Sequence, residues 1–171
     1  MGNRGRLIAS DTDRQRLSRL APRANRAGAT MFETRLLDPG KEPDALSDLA
    51  GQADAVLVDA PCSGTGTWRR NPEARWRLTP EALNRLVGAQ ARLLDIAAAL
   101  VRPGGRLIHV VCSLLDEEGA GQFDSFLARH PGFTAQPLVL PLGTERGKGM
   151  RLTPFHDGTD GFFIACATSP C

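Results

Sequence analysis

Aliphatic and β-branched residues gather in five short runs, at residues 6–10, 31–36, 55–59, 106–111 and 162–167, each of strand length. Between most of them, apolar positions recur at three- and four-residue spacing, the period of a helix with one buried face. That alternation predicts an α/β fold, a mostly parallel sheet wound on both faces by helices. The clearest helix starts with Thr79 as N-cap and Pro80 in its first turn. It carries Leu83, Leu86, Val87, Leu94, Ala97 and Val101 on one side and stops at Arg102-Pro103-Gly104-Gly105. A second helix is expected from about Asp116-Glu117-Glu118, whose acids favour a helix N-terminus, to His130-Pro131-Gly132, with Phe123, Phe126 and Leu127 inward. A third, over 13–27, contains Pro22, which removes a backbone donor and is expected to kink or split it. Residues 141–161, rich in Gly, Pro and Thr, read as a long surface loop before the last strand.

Composition narrows the class. A length of 171 residues is that of one domain able to bury its own core, so 1–171 is read as a single domain. No apolar run approaches the 18 or so residues of a membrane span, and the opening MGNRGRLIAS lacks the apolar core of a secretory signal, so the chain reads as cytoplasmic. All but Lys41 and Lys148 of the 21 basic residues are Arg, the residue suited to bidentate phosphate contacts and to stacking on bases, although solvated helix faces account for much of such a composition. The four cysteines, Cys62, Cys112, Cys166 and Cys171, form no Cys-x-x-Cys pair and have no histidine at ligand spacing, so no metal is expected and reduced thiols are.

Two of those cysteines stand just past strands. Asp59-Ala60-Pro61-Cys62-Ser63-Gly64-Thr65-Gly66 closes the 55–59 run and Val111-Cys112-Ser113 closes the 106–111 run. In a parallel sheet both thiols lie on the carboxyl edge, where α/β proteins bind ligands. Either cysteine alone reads equally as a small buried hydrophobe. The pair, with Asp59 beside the first, points to chemistry. The following Trp68-Arg69-Arg70-Asn71-Pro72-Glu73-Ala74-Arg75-Trp76-Arg77 holds both tryptophans and four arginines.

These motifs, together with Pro103-Gly104-Gly105, Leu114-Leu115-Asp116-Glu117-Glu118-Gly119, Arg151-Leu152-Thr153-Pro154 and Asp160-Gly161-Phe162-Phe163, resemble the RNA (cytosine-5) methyltransferases of the Sun/Fmu type over nearly the whole chain. The resemblance implies a Rossmann-like, S-adenosylmethionine-dependent fold acting on RNA, in particular ribosomal RNA. It assigns Cys112 as the nucleophile that adds to cytosine carbon 6, Cys62 to release of the methylated product, and Asp59 to the base edge near N3 and to the cofactor. Asp11 matches the acid that holds the cofactor ribose, with a helix N-cap as the competing reading, and Asp38 the acid near the adenine, although the usual Gly-Asp is here Leu37-Asp38. Val111 replaces a common Thr. Arg69 and Arg70 become candidate RNA contacts.

The family's glycine-rich cofactor turn, expected before Asp11, is missing from the sequence, so the resemblance also implies a chain truncated at its N-terminus and lacking the first, central strand. The strands at 6–10 and 55–59 are then expected to face each other across unpaired edges. Two other readings stay open at this level. One is an RNA-binding remnant without turnover. The other is a cysteine hydrolase, for which His109 has the wrong strand parity to reach Cys112 and neither His130 nor His156 has any link to it in sequence.

Overall fold

The structure, a computed structural model, describes residues 1–171, which divide into two compact units, Met1–Asp48 and Leu49–Cys171. In the first unit β1 (Leu7–Asp11) pairs in parallel with β2 (Phe32–Leu36), from Leu7 opposite Phe32 to Asp11 opposite Leu36. Between them the expected helix is split into α1 (Arg14–Ser18) and α2 (Leu20–Arg26). The break falls where the Pro22 ring would meet the carbonyl four residues earlier, that of Ser18. A short α3 (Glu42–Ala45) closes the unit.

In the second unit β3 (Ala53–Asp59) leads through a loop and α4 (Pro80–Leu100) to β4 (Val101–Val111). Then follow α5 (Ala120–Arg129), β5 (Thr134–Gln136), β6 (Thr144–Arg146), β7 (Gly149–Leu152), α6 (Pro154–Asp157) and β8 (Phe162–Thr168). The sheet order is β3-β4-β8-β7-β6, with β5 also on β8.

This sheet corrects the expectation of a mostly parallel one. Only β3 and β4 run parallel, whereas β8 is antiparallel to β4, β5 and β7, and β6 is antiparallel to β7. A parallel step needs a long crossover, and α4 is the only one that links two adjacent strands of this sheet. From residue 141 onward the connections are short and the strands return on themselves. The stretch read as a loop holds the β6–β7 hairpin, whose three β6 residues are all exposed and so carry no apolar alternation to announce a strand. Likewise β4 begins at Val101, earlier than the glycines suggested. Its Arg102–Gly105 segment bulges out of register against β3, and a side chain at Gly105 would collide with Val101 and with the Arg102 and Ala53 carbonyls.

Leu107, His109 and Val111 alternate onto the fully buried face of β4, where Leu94 and Ala97 of α4, Phe123 and Phe126 of α5 and Phe163 and Ala165 of β8 pack against them. The parallel pairing sets Asp59 opposite Val110, so the segments leaving β3 and β4 emerge side by side.

Candidate active site

Those two segments bring the predicted cysteines together. Cys62 Sγ lies 3.3 Å from Cys112 Sγ, each thiol half-buried and unbridged. The hydrogen bond from the Cys62 thiol draws Cys112 down to about 7, although burial and the negative charges of Asp59 and Glu118 oppose it. The same contact pushes Cys62 up, and burial adds to that. Around neutral pH Cys112 is therefore the thiol that ionises, its thiolate held by the Cys62 thiol. Asp59, exposed at the end of β3, is the charge next to this centre.

Polar groups pin the two loops to each other. Leu114 N–H donates to Thr65 Oγ1 at 2.8 Å, the Thr65 and Ser113 hydroxyls are 3.0 Å apart, and Gly66 N–H donates to the Cys112 carbonyl at 3.1 Å. Gly161 N–H donates to the Gly66 carbonyl at 2.8 Å, and a Cβ on Gly66 would stand 2.0 Å from the Gly161 carbonyl oxygen, so only glycine permits that approach. Glu118, wholly buried, accepts the Ser63 backbone N–H at 2.8 Å, the Ser63 hydroxyl, and Gln90 Nε2 at 3.0 Å. None of the histidines pairs with Cys112. His109 Nε2 donates to the Glu118 carbonyl at 2.9 Å on the core face, His130 Nε2 is 2.8 Å from Asp95, and His156 packs on Phe155. No cluster of His, Cys, Asp or Glu could hold a metal ion.

Comparison with known proteins supplies the family. The model of the family "16S rRNA methyltransferase RsmB/F" matches residues 1–167. The chain belongs to this family. It is 38% identical over 160 residues to ribosomal RNA small subunit methyltransferase B of Thermus thermophilus, covering 93% of this chain and 38% of that protein. Among solved structures it is similar to PH0851 (38% identity, TM-score 0.89, 98% of this chain and 38% of that one). It is also similar to NSun6 from Pyrococcus horikoshii, solved with SFG (27% identity, TM-score 0.83, 98% and 42%). The chain thus spans well under half the length of these relatives.

The remaining candidate residues lie as follows. In the first unit Asp11 and Asp38 follow the carboxyl ends of the parallel strands β1 and β2. Asp11 Oδ1 accepts the Asp13 N–H at 2.8 Å, while Oδ2 has only Arg16 at 3.7 Å. The helix cap is Asp13, which accepts from Gln15 and Arg16. Acceptor oxygens at parallel strand ends fit the hydroxyl and amino donors of a nucleoside. In the second unit Arg70 Nε donates to Asp160 Oδ2 at 2.7 Å and Arg69 approaches the same carboxylate at 3.6 Å. Trp76 is 77% exposed with the Arg75 guanidinium 4.5 Å over its ring.

Sequence reading missed Glu118, Gln90, Thr65, Ser113 and Asp160 as parts of the site. Glu118 had been read as a helix-starting acid, but α5 begins at Ala120. The sequence offered only an acid six residues past the second cysteine, and without the fold nothing distinguished it from its exposed neighbour Glu117.

Proposed function

We propose that this chain carries the reactive centre of an enzyme that methylates carbon 5 of cytosine in RNA, with ribosomal RNA as substrate and S-adenosylmethionine as methyl donor. The two units are read as parts of one methyltransferase domain working in the cytoplasm, where thiols stay reduced. The observation that carries the reading is the thiol pair, 3.3 Å apart with Cys112 drawn down to about 7 and Cys62 held protonated.

Cytosine carbon 5 is a poor nucleophile. Addition of the Cys112 thiolate to carbon 6 pushes electron density onto carbon 5 and N3, and the Asp59 carboxyl is assigned to the base edge at N3, where negative charge develops and a proton must be donated. S-adenosylmethionine, when bound, supplies the electrophilic methyl group. Asp11 is assigned to its ribose hydroxyls, Asp38 to its adenine and Asp59 to the end nearest the base. After transfer, carbon 5 loses its proton to a base, the double bond to carbon 6 re-forms, and the bond to Cys112 breaks with its electron pair returning to that sulfur; Cys62 is assigned to assist this elimination. The target base must leave its stack to meet these groups. Arg69 and Arg70 are assigned to the RNA backbone. Their pairing with Asp160 makes the carboxylate the group that an incoming phosphate displaces.

The test joins this chain to the part of the Thermus thermophilus relative that it does not cover and supplies small-subunit ribosomal RNA and S-adenosylmethionine. Cys112→Ala is expected to abolish methylation, and Cys62→Ala to accumulate a protein–RNA adduct that survives a denaturing gel. An adduct that requires Cys62 and persists without Cys112 would reverse the two roles.

A further inference from the structure

Glu118 is a fully buried carboxylate with no basic side chain among its partners. Such a charge is tolerable only when donors surround it, and here all three come from around the first cysteine loop or the helix behind it. Two are the backbone N–H and hydroxyl of Ser63, the residue directly after Cys62. The third, Gln90 Nε2, also donates to the Pro61 carbonyl at 3.0 Å, the residue directly before Cys62. Gln90 is itself set by Gln122 of α5, whose Nε2 reaches the Val87 carbonyl at 2.6 Å and Gln90 Oε1 at 3.4 Å. Cys62 is thus gripped on both sides by a network anchored in the β4–α5 loop, the segment that also carries Cys112. His109 holds the Glu118 carbonyl from below.

We propose that Glu118, oriented by Gln90, is the positioning residue that keeps the Cys62 thiol in hydrogen-bond contact with Cys112. The inference rests on the reading of the cysteines as the reactive pair, and it adds a cause for their spacing. Pairing of β3 with β4 brings the strand ends together but leaves Cys62, three residues beyond β3, free to swing. Glu118 removes that freedom without touching either sulfur. A glutamine at 118 can keep all three contacts, because the Ser63 hydroxyl on the second oxygen accepts from an amide N–H₂ as readily as it donates, whereas an alanine removes every acceptor and releases the loop.

Alkylation of the 171-residue chain by iodoacetamide across a pH series, quantified on the peptide that carries Cys112, tests this without RNA or cofactor. Positioning and plain charge predict opposite signs. The Glu118 charge by itself raises Cys112, so removing it while the loop stays put would move the alkylation midpoint below about 7. If Glu118 positions Cys62, Glu118→Ala frees the loop, the largest lowering influence is lost, and the midpoint rises, whereas Glu118→Gln, which removes the charge and keeps the contacts, lowers it. Ser63→Ala, which leaves the charge in place and loosens the same grip, is expected to raise it as well, with a smaller effect than Glu118→Ala. Bridging of Cys62 to Cys112 by dibromobimane is expected to slow at least about tenfold in Glu118→Ala. A midpoint that falls or stays fixed in Glu118→Ala, or, should that variant not fold, unchanged midpoint and bridging in Ser63→Ala, overturns the proposal. Absence of methylation in the unmodified fused protein would instead count against the reading of the pair.

Discussion

Two thiols 3.3 Å apart cannot both ionise at neutral pH, because the second charge would sit beside the first in a partly desolvated cleft. The structure resolves the conflict in favour of Cys112, lowered to about 7, and against Cys62, raised. The rate of Cys112 alkylation is therefore expected to climb roughly tenfold per pH unit below 7 and to level off above it, with Cys62 unreactive throughout. Cys62→Ala deletes the largest influence that lowers Cys112 and leaves burial and the Asp59 and Glu118 charges, which raise it, against one backbone hydrogen bond, which lowers it. The midpoint then rises above about 7, and the adduct expected of this variant forms more slowly at neutral pH. A midpoint that stays near 7 would mean that some other group stabilises the thiolate.

At the scale of elements, the site is a meeting of loops, from β3, from β4 and from the turn before β8. The closest joint is Gly66 against Gly161, backbone to backbone, with Arg70 and Asp160 clamping the same two segments. Gly66→Ala pushes a methyl group into the Gly161 carbonyl, and neither backbone can yield without breaking the Gly161 N–H bond to Gly66. A destabilisation of about 1–3 kcal/mol is expected, lowering the melting temperature by several degrees, together with slower bridging of the two thiols. Gly88→Ala, on the exposed side of α4 with open space around it, serves as the control and should stabilise slightly. Equal melting temperatures for the two variants would show that the loops can part without cost.

For the whole molecule, cofactor affinity is the property most exposed to what this sequence lacks. In the proposed reading Asp11, Asp38 and Asp59 are assigned to ribose, adenine and the reacting end. Close backbone approach to a nucleotide, however, comes from a glycine-rich turn, and the sequence carries none before β1. Each unit also has a strand with one open side: β1 pairs only with β2, and β3 only with β4, where Leu57 is 64% exposed. Titration calorimetry of the 171-residue chain with S-adenosylmethionine is expected to give a Kd weaker than about 0.1 mM. Micromolar binding would show that the three acids suffice without the turn.

Much of the chemistry was legible in the residues themselves. The apolar runs located β1 to β4 and β8, Thr79-Pro80 marked the start of α4, Pro22 marked the split between α1 and α2, and the two strand-end cysteines picked out the edge where the two thiols meet. These signals are local: each depends on residues a few positions apart, through backbone preference or helical and strand period. Strand direction is not local. Whether β8 lies parallel or antiparallel to β4 depends on how the last fifty residues fold back, and the short exposed strands of the β6–β7 hairpin leave no pattern to read. The role of Glu118 is equally non-local, since its donors come from Ser63 and Gln90, 55 and 28 residues away. The sequence by itself determined which side chains could react. Only the tertiary structure decided that the two sulfurs touch, which of them ionises, and what holds them there, because each of these depends on distances between segments that share no local pattern.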